Sequence, residues 1–247
     1  MRLPEIQGDI ERRLLVNYRV DPVVVARVLP APFRPHLAGD YAVAGICLIR
    51  LGGLRPRGLP WWVGLRSENA AHRVAVEWDD PSGTRTGVYI PRRDSDSLAN
   101  LVVGGRLYPG EHHRAAFQVD ETDTDLHVSF SSADSSTSVD AHVRISDQLS
   151  DSCLFRDTAE ASAFFEQGSA GFSATHDPCR FDGLALETSS WKVEPAVVVA
   201  VRSSFFDDPH VFPAGSAQLD CALVMRRVPV VWKALPSLRA DQSQPVG

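Results

Sequence analysis

Apolar and polar residues alternate in at least four separate segments of the sequence, and this period of two is the feature that most limits the fold. The alternation runs through residues 68–78, 113–119, 126–130 and 139–145. Side chains of a β-strand point to opposite faces in turn, so each segment is predicted to be a strand with one buried face. No strand–helix–strand spacing accompanies them. We therefore predict a mainly β (α+β) protein with an antiparallel sheet.

Residues 41–51 follow a different pattern, because they are apolar at both parities. A strand here is predicted to be central and covered on both faces. Asp157 is the expected N-cap of a helix, with Glu160 placed to complete a capping box. In all, three short helices are predicted beside the strands, over residues 22–29, 94–103 and 157–167.

The chain has 247 residues, a length at which a β protein often forms one domain. No internal repeat or low-complexity tract marks a linker. We predict a single domain over residues 1–236 and a flexible C-terminal tail over residues 237–247.

The net charge and the cysteines limit which partners and which cellular compartment are expected. The formal net charge is −6, and no run approaches the roughly 18 apolar residues of a membrane span. Neither nucleic acid nor a membrane is therefore expected as a partner. The four cysteines show no CxxC spacing and the first residues hold no apolar leader, which favours a reduced, cytoplasmic protein. The sequence leaves open whether the chain forms a homo-oligomer.

Several motifs of catalysis and cofactor binding are absent from the sequence: GxGxxG, the P-loop, GxSxG and HExxH. No cofactor is therefore predicted. No metal site is predicted either, because the adjacent His112 and His113 point to opposite faces of an extended strand and cannot both bind one ion without a local distortion.

Reactive groups are concentrated in one turn, residues 104–117. Glycines and Pro109 break the chain before a strand resumes, so the turn presents Glu111, His112 and His113 at the edge of a sheet. Carboxylate and imidazole groups suit proton transfer, and these three residues are candidate catalytic groups. The alternative is a polar surface turn whose side chains are solvated.

Two further candidates lie on the predicted buried face of residues 68–78. His72 is a candidate acid or base there, and Glu68, at the end of the strand, is a candidate substrate contact. A lone histidine on an apolar face is more often a core residue than a catalyst, so a structural role is the alternative for His72.

Tyr18-Arg19-Val20-Asp21, a short helix and Leu29-Pro30-Ala31-Pro32-Phe33 resemble the opening of acetoacetate decarboxylases. Gly87-Val88-Tyr89 and then Gly105-Arg106 and Tyr108-Pro109 extend the resemblance over roughly the first half of the chain. The chain is most similar to an uncharacterised bacterial branch of that superfamily. The resemblance implies a mostly antiparallel, cone-like β-barrel around a small-molecule cavity. It also implies that Arg19 is a substrate-pocket residue, with Arg106 and Tyr108 as further substrate contacts.

One departure from that superfamily bears directly on chemistry. Its decarboxylases place two lysines directly after the Tyr-Pro of this turn, one of which forms a Schiff base. Gly110 and Glu111 occupy those positions here, and Lys192 and Lys233 are the only lysines of the chain. Decarboxylation through a Schiff base is therefore not expected. Lys192 shares strand parity with Glu194, which predicts a surface ion pair.

The expected function is the binding of a small, anionic organic molecule, with proton-transfer or lyase-type chemistry that does not use a Schiff base. Whether the protein is an enzyme stays open, because a non-catalytic ligand-binding or assembly module fits the same sequence. Convergence of Arg19, His72 and His112 on one cavity favours the first reading, and dispersal of these residues favours the module.

Alternation also bears on which histidine faces such a cavity. His113 shares parity with Ala115 and Phe117, whereas His112 shares parity with polar residues. Simple alternation therefore favours an inward His113. The turn at Gly110 is able to reverse that assignment, so both histidines are kept as candidates.

Overall fold

The strands occupy most of the chain in a computed structural model that describes residues 5–97, 110 and 112–240. A short 3-10 helix, Trp61–Val63, joins two of the strands. In chain order the other elements are β1 (Ile6–Val20), α1 (Pro22–Val28), β2 (Arg34–Pro35), β3 (Leu37–Ala38), β4 (Tyr41–Pro56), β5 (Leu65–Asp80), β6 (Gly83–Ser95), β7 (His112–Glu121), β8 (Asp125–Ser132), β9 (Ser138–Ile145), α2 (Thr158–Gln167), β10 (Ala170–Ala174), β11 (Arg180–Glu187), β12 (Glu194–Ser203) and β13 (Ala217–Arg239).

The mainly β character is as predicted, and two of the three predicted helices are present as α1 and α2. The helix predicted over residues 94–103 is wrong at its start, because Asp94 and Ser95 pair with β5 as the last residues of β6. Both side chains are buried, so they extend the strand instead of capping a helix. Residues 98–103 lie outside the described part of the chain.

The N-terminus of α2 is fixed by reciprocal side-chain bonds close to the predicted capping box. The Asp157 carboxylate accepts a hydrogen bond from the backbone N–H of Glu160 at 2.8 Å. The Glu160 carboxylate accepts from the backbone N–H of Arg156 at 2.7 Å, one residue before the cap. Two amides at the helix entrance thus gain acceptors.

The strands form one sheet in the order β11-β10-β6-β7-β8-β9-β12-β13-β1-β4-β5-β2. Most neighbours are antiparallel, but β6 pairs in parallel with both β7 and β10. Further pairings of β5 with β6 and of β11 with β13 close two circuits of hydrogen-bonded strands. Both circuits contain β13, β1, β4, β5 and β6, which we call the shared wall. The cone-like barrel shape itself stays a prediction.

Both faces of the shared wall are buried, which is why its strands are apolar at consecutive positions. Leu14 and Ile46 belong to one hydrophobic cluster, whereas Leu15 and Cys47 belong to a second cluster on the opposite face. The doubly covered strand predicted over residues 41–51 is β4. We call these the first cluster and the second cluster; α2 contributes Phe165 to the second.

The predicted domain boundary at residue 236 falls inside the last strand, β13. Residues 237–239, expected to begin a loose tail, belong to β13, and Leu238 and Arg239 pair with β11. Residues 241–247 lie outside the described part of the chain. Within that part, no helix is long and apolar enough to cross a membrane.

Candidate functional site

A cavity of about 120 Å³ lies on the second-cluster side of the shared wall. Residues of β1, β4, β5, β6, β10, β11 and β13 line it, together with His112 at the start of β7. It therefore lies mainly in the circuit that β10 and β11 close. Its walls are largely aliphatic, with Trp232 as an aromatic member. The polar and charged side chains among the lining residues include Arg13, Cys47, Asn69, Arg73, Arg93 and His112.

Arg73 is a nearly fully buried cation at this cavity, with 3% of the residue exposed. One terminal nitrogen donates to the Asn17 side-chain oxygen, and the guanidinium carbon lies 4.6 Å from the centre of the Phe165 ring. The Arg73 Nε has no hydrogen-bond partner in the described part of the chain. Burial lowers the pKa of Arg73 to about 10, so the side chain remains a cation at neutral pH.

Arg13 brings a second guanidinium to the cavity from β1. Its Nε donates to Cys47 Sγ at 3.2 Å, and its guanidinium carbon lies 5.9 Å from the Trp191 ring centre. The proximity of Arg13 also contributes to lowering the pKa of Arg73. Among the described residues, no carboxylate forms an ion pair with either arginine, so two cations meet here without a protein counter-ion.

Asp94 is an acidic residue along the cavity, but its charge is already matched. Arg92 donates to the Asp94 carboxylate from Nε at 3.0 Å and from a terminal nitrogen at 2.9 Å. Burial nevertheless raises the pKa of Asp94, with Arg92 opposing that shift. Asp94 therefore balances Arg92 and leaves the charges of Arg13 and Arg73 available to an anion.

His112 lines the cavity, whereas His113 faces the other side of the sheet. His113 Nδ1 lies 3.5 Å from an Asp134 carboxylate oxygen. In the sheet, His113 is the strand partner of Asp94 on β6. As predicted, His112 and His113 lie on opposite faces of the strand. Simple alternation favours an inward His113, but the cavity lies on the face of His112, the other candidate kept from the sequence.

Gly110, in the turn before β7, has a φ of +99° and lies against β10. A Cβ at this position would lie 2.5 Å from the Cβ of Ser173. Glycine is therefore required there both by the backbone conformation and by the close approach of β10. The predicted site residues Glu111, Arg106 and Tyr108 lie outside the described residues.

His72 is buried in the first cluster, away from the cavity. Its ring centre is 4.6 Å from that of Phe205, and neither ring nitrogen has a hydrogen-bond partner in the described part of the chain. Burial, with a smaller effect of the nearby Arg92 charge, lowers the pKa of His72 to about 3. His72 is thus a neutral core residue at physiological pH, which is the alternative that the sequence had offered for it.

Arg19 does not line the cavity either, and it has its own partners on β13. Its terminal nitrogens lie 3.4 Å from the Asp220 carboxylate and 2.6 Å from the Gln218 side-chain oxygen. Its guanidinium carbon lies 5.9 Å from the Tyr41 ring centre. Arg19, His72 and His112 therefore disperse, and only His112 lines the cavity.

Glu68 joins an ion-pair network at the wall instead of lining the cavity. It accepts from Arg12 at 2.6 Å and also from Arg50. Glu121 contacts the same two arginines, so two carboxylates and two guanidinium groups connect β1, β4, β5 and β7. Such a network fixes strands to one another and leaves Glu68 no charge to offer a ligand.

The sequence does not point to Arg73, because alternation assigns its face of β5 to solvent. Arg73 alternates with His72 and was placed on the polar face together with Glu77 and Asp79. A usable signal lay in the neighbouring strand. Residues 41–51 are apolar at both parities, and a strand covered on both faces implies that its partner is covered on both faces as well.

Both lysines of the chain lie away from the cavity. Lys192 is exposed beside Glu194. Arg226 lowers the pKa of the Glu194 carboxyl against the opposing effect of burial, and Lys192 adds a smaller lowering. Lys233 lies on β13, where its amine is 2.7 Å from the Glu187 carboxylate. Within the described residues, no group of three or more His, Cys, Asp and Glu side chains is placed to hold a metal ion.

Solved structures with the same fold include acetoacetate decarboxylase-like enzymes. The enduracididine biosynthesis enzyme MppR, solved in complex with pyruvate, matches with a TM-score of 0.60 and 13% identity over 99% of this chain and 93% of its own. An acetoacetate decarboxylase-like enzyme from Sphingomonas wittichii RW1 gives 0.57 and 13% over 98% and 94%. Acetoacetate decarboxylase from Legionella pneumophila gives 0.57 and 10% over 95% and 88%.

These identities are low, so the three structures establish the fold alone. Among curated proteins, no sequence matches the chain significantly. A family model, DUF2071, described as "Uncharacterized conserved protein", matches residues 9–227. That match spans β4, β5 and β6 of the shared wall completely and β1 and β13 in part. The chain therefore belongs to the DUF2071 family and has an acetoacetate decarboxylase-like fold.

Proposed function

We propose that this protein binds a small organic molecule bearing a carboxylate, and that Arg13 and Arg73 hold that carboxylate in the cavity. The observation that carries the proposal is the meeting of two guanidinium groups in a largely aliphatic cavity where the described residues supply no counter-ion. A buried charge without a partner costs free energy, and a bound anion removes that cost. Guanidinium groups also suit a carboxylate because their donors match its two oxygens.

The size and walls of the cavity limit the rest of the ligand. A volume of about 120 Å³ suits a molecule of a few heavy atoms. Aliphatic side chains such as Ile90 and Leu184 line it beside the arginines. We therefore expect a short carboxylic acid with a small apolar or keto-bearing remainder, not a sugar or a nucleotide.

The structural neighbours are consistent with this ligand class. MppR holds pyruvate, a short keto acid, in a fold that spans 99% of the present chain. We place the ligand inside the predicted cone-like barrel, in the circuit closed by β10 and β11. The similarity of the fold supports a cavity function, while the choice of a carboxylate rests on Arg13 and Arg73 of this chain.

Any reaction in this cavity would proceed without a Schiff base, since Lys192 and Lys233 both lie elsewhere. His112 is then a candidate acid or base, because imidazole accepts or donates a proton near neutral pH. Non-catalytic binding is the second candidate function. It is favoured by the dispersal of Arg19 and His72, which leaves fewer catalytic groups at the cavity than the sequence had suggested.

The proposal is tested by thermal unfolding and calorimetric titration with pyruvate, acetate and crotonate. Lactamide and acetamide serve as neutral ligands of similar size. We expect the acids to raise the melting temperature, because a ligand that binds the folded state stabilises it by mass action. Equal responses to acids and amides, or none to either, would show that the cavity is not a carboxylate site.

Matched variants assign the binding to the cavity. Arg13→Gln and His112→Ala alter cavity residues, whereas Arg19→Gln and His113→Ala alter neighbours that face elsewhere. Loss of one charge-assisted contact weakens binding by about tenfold, and we expect this for Arg13→Gln but not for Arg19→Gln. If Arg19→Gln abolishes binding while Arg13→Gln does not, the pocket predicted from the sequence is the correct one.

A further inference from the structure

The four cysteines occupy four different environments, and one of them lies at the cavity. Cys47 is on β4 of the shared wall, with 6% of the residue exposed, and it lines the cavity together with Arg13 and Arg73. Cys221 is buried on β13 and does not line the cavity. Cys153 is exposed and Cys179 half-buried. No disulfide joins any of the four, all of which are among the described residues.

The Cys47 sulfur accepts a hydrogen bond from a cationic side chain at the cavity. Arg13 Nε donates to Cys47 Sγ at 3.2 Å, a charge-assisted hydrogen bond that stabilises negative charge on sulfur. The second guanidinium, Arg73, lies at the same cavity, where its fully buried Nε lacks a hydrogen-bond partner among the described residues. The thiol, the cation that activates it and an unsatisfied donor for an anion thus share one small space.

We propose that Cys47 is a nucleophile directed at electrophilic carboxylates, of which α,β-unsaturated acids are the class that the cavity suits. This inference rests on the proposed function, because the arginines must hold the carboxylate for the sulfur to select it. Arg13 and Arg73 together hold the carboxylate, and Arg13 Nε also donates to the attacking sulfur. The nucleophile that lysine supplies in Schiff-base chemistry is here a cysteine.

The step is a conjugate addition and needs no oxidant or further reactant. The Cys47 sulfur attacks the β-carbon of the unsaturated acid and forms a C–S bond while the carbon–carbon π bond breaks. Its electron pair moves to the α-carbon, which takes up the proton that left the thiol. The sum is the addition of S–H across the double bond, giving a thioether whose carboxylate is retained. Two guanidinium groups beside that carboxylate stabilise the negative charge that develops during attack.

The other cysteines provide internal references. Burial raises the pKa of Cys221 to about 12, so this thiol is expected to be inert. Exposed Cys153 reports the intrinsic reactivity of a cysteine thiol in the same sample.

The test compares acrylate with acrylamide, which present the same double bond beside a charged or a neutral group. Intact protein is treated with each reagent, and peptide mass spectrometry measures the rate of modification at every cysteine. A bound carboxylate raises the effective concentration of acrylate, so we expect the acrylate-to-acrylamide rate ratio at Cys47 to exceed that at Cys153 by about tenfold or more. Equal ratios at the two residues, or a Cys47 that neither reagent modifies, would overturn the inference.

Variants and competition identify the origin of that selectivity. We expect Arg13→Gln to lower the Cys47 ratio to that of Cys153 and Arg19→Gln to leave it unchanged. Acetate should slow the modification of Cys47 by acrylate and not that of Cys153, a measurement that needs no variant. An unchanged Cys47 ratio in Arg13→Gln together with no protection by acetate contradicts the inference.

The two proposals fail in different ways. Pyruvate binding with an unreactive Cys47 retains the carboxylate site and rejects the nucleophile. Absence of acid binding together with equal rate ratios at Cys47 and Cys153 rejects both.

Discussion

At the scale of single residues, burial decides which histidine is able to do chemistry. His72 is enclosed by the first cluster, where burial lowers its pKa to about 3. In the unfolded chain the pKa of histidine is about 6.5. Below that pH the unfolded state binds a proton that the folded state does not, so stability is lost as the pH falls from about 6.5 towards 3.

We therefore predict that His72→Leu flattens the pH dependence of unfolding. The wild-type slope between pH 6 and pH 4 should exceed that of the variant by up to about 1.4 kcal/mol per pH unit, the linkage of one proton. Denaturant titrations at several pH values measure it, with exposed His210→Leu as the control that retains the wild-type slope. Parallel curves for the wild type and His72→Leu would mean that His72 becomes protonated in the folded state.

Arg73, unlike the neutral His72, is a buried cation, and we attribute the free energy of burying its charge to ligand binding. We predict that Arg73→Met abolishes carboxylate binding and lowers the free energy of unfolding by no more than about 1 kcal/mol, since an apolar side chain replaces a buried charge. Calorimetric titration and urea unfolding check the two parts.

Arg73→Met leaves the Asn17 oxygen that Arg73 contacts without that donor. The double variant Arg73→Met/Asn17→Leu removes this acceptor and separates its effect from that of the charge. A loss of several kcal/mol in both variants would assign Arg73 to the core and not to ligand binding.

At the scale of elements, α2 covers the cavity wall and depends on its N-cap. Phe165 of α2 lies over the Arg73 guanidinium, and the Asp157 carboxylate accepts the Glu160 N–H at 2.8 Å. We predict that Asp157→Ala lowers the free energy of unfolding by about 1 kcal/mol, the usual effect of losing an N-cap. Glu166→Ala, an exposed change in the same helix, should stay within about 0.5 kcal/mol. Equal effects of both variants in urea unfolding would exclude a specific capping contribution.

The elements differ in how well the sequence predicts them. Helix α2 was predictable because its cap residues and its closing Gly168 are local signals. Strand β10, Ala170–Ala174, was missed, since five residues without clear alternation give no periodic signal and the strand is defined by pairing with β6 and β11. The end of β6 resembles a helix start because Asp94 and Ser95 are common caps, and only their pairing with β5 shows otherwise.

At the scale of the whole molecule, the two buried faces of the shared wall explain why the site was harder to predict than the fold. Alternation tells which residues share a face, and for His112 and His113 it did so correctly. It does not tell which face encloses a cavity when strands β7 to β9 cover one side and β10 and β11 the other. That choice depends on pairings between segments far apart in sequence, so Arg13, Cys47 and Arg73 could be assigned to one site only from the structure.

The same long-range closure leads to a last prediction, on the ion-pair network of Glu68. Arg12 is almost fully buried, and its charge is matched by Glu68 at 2.6 Å and by Glu121 at 3.0 Å. Removing one partner of a buried ion pair leaves an uncompensated charge, so Glu68→Gln should lower the free energy of unfolding by about 3 kcal/mol. Glu77→Gln is the matched control, because its partner Arg34 is 43% exposed and an exposed pair contributes less than about 1 kcal/mol. Urea unfolding of both variants measures the difference.

Binding of carboxylic acids should survive in Glu68→Gln, since Glu68 does not line the cavity. Loss of that binding in a folded Glu68→Gln variant would place Glu68 in the binding site after all.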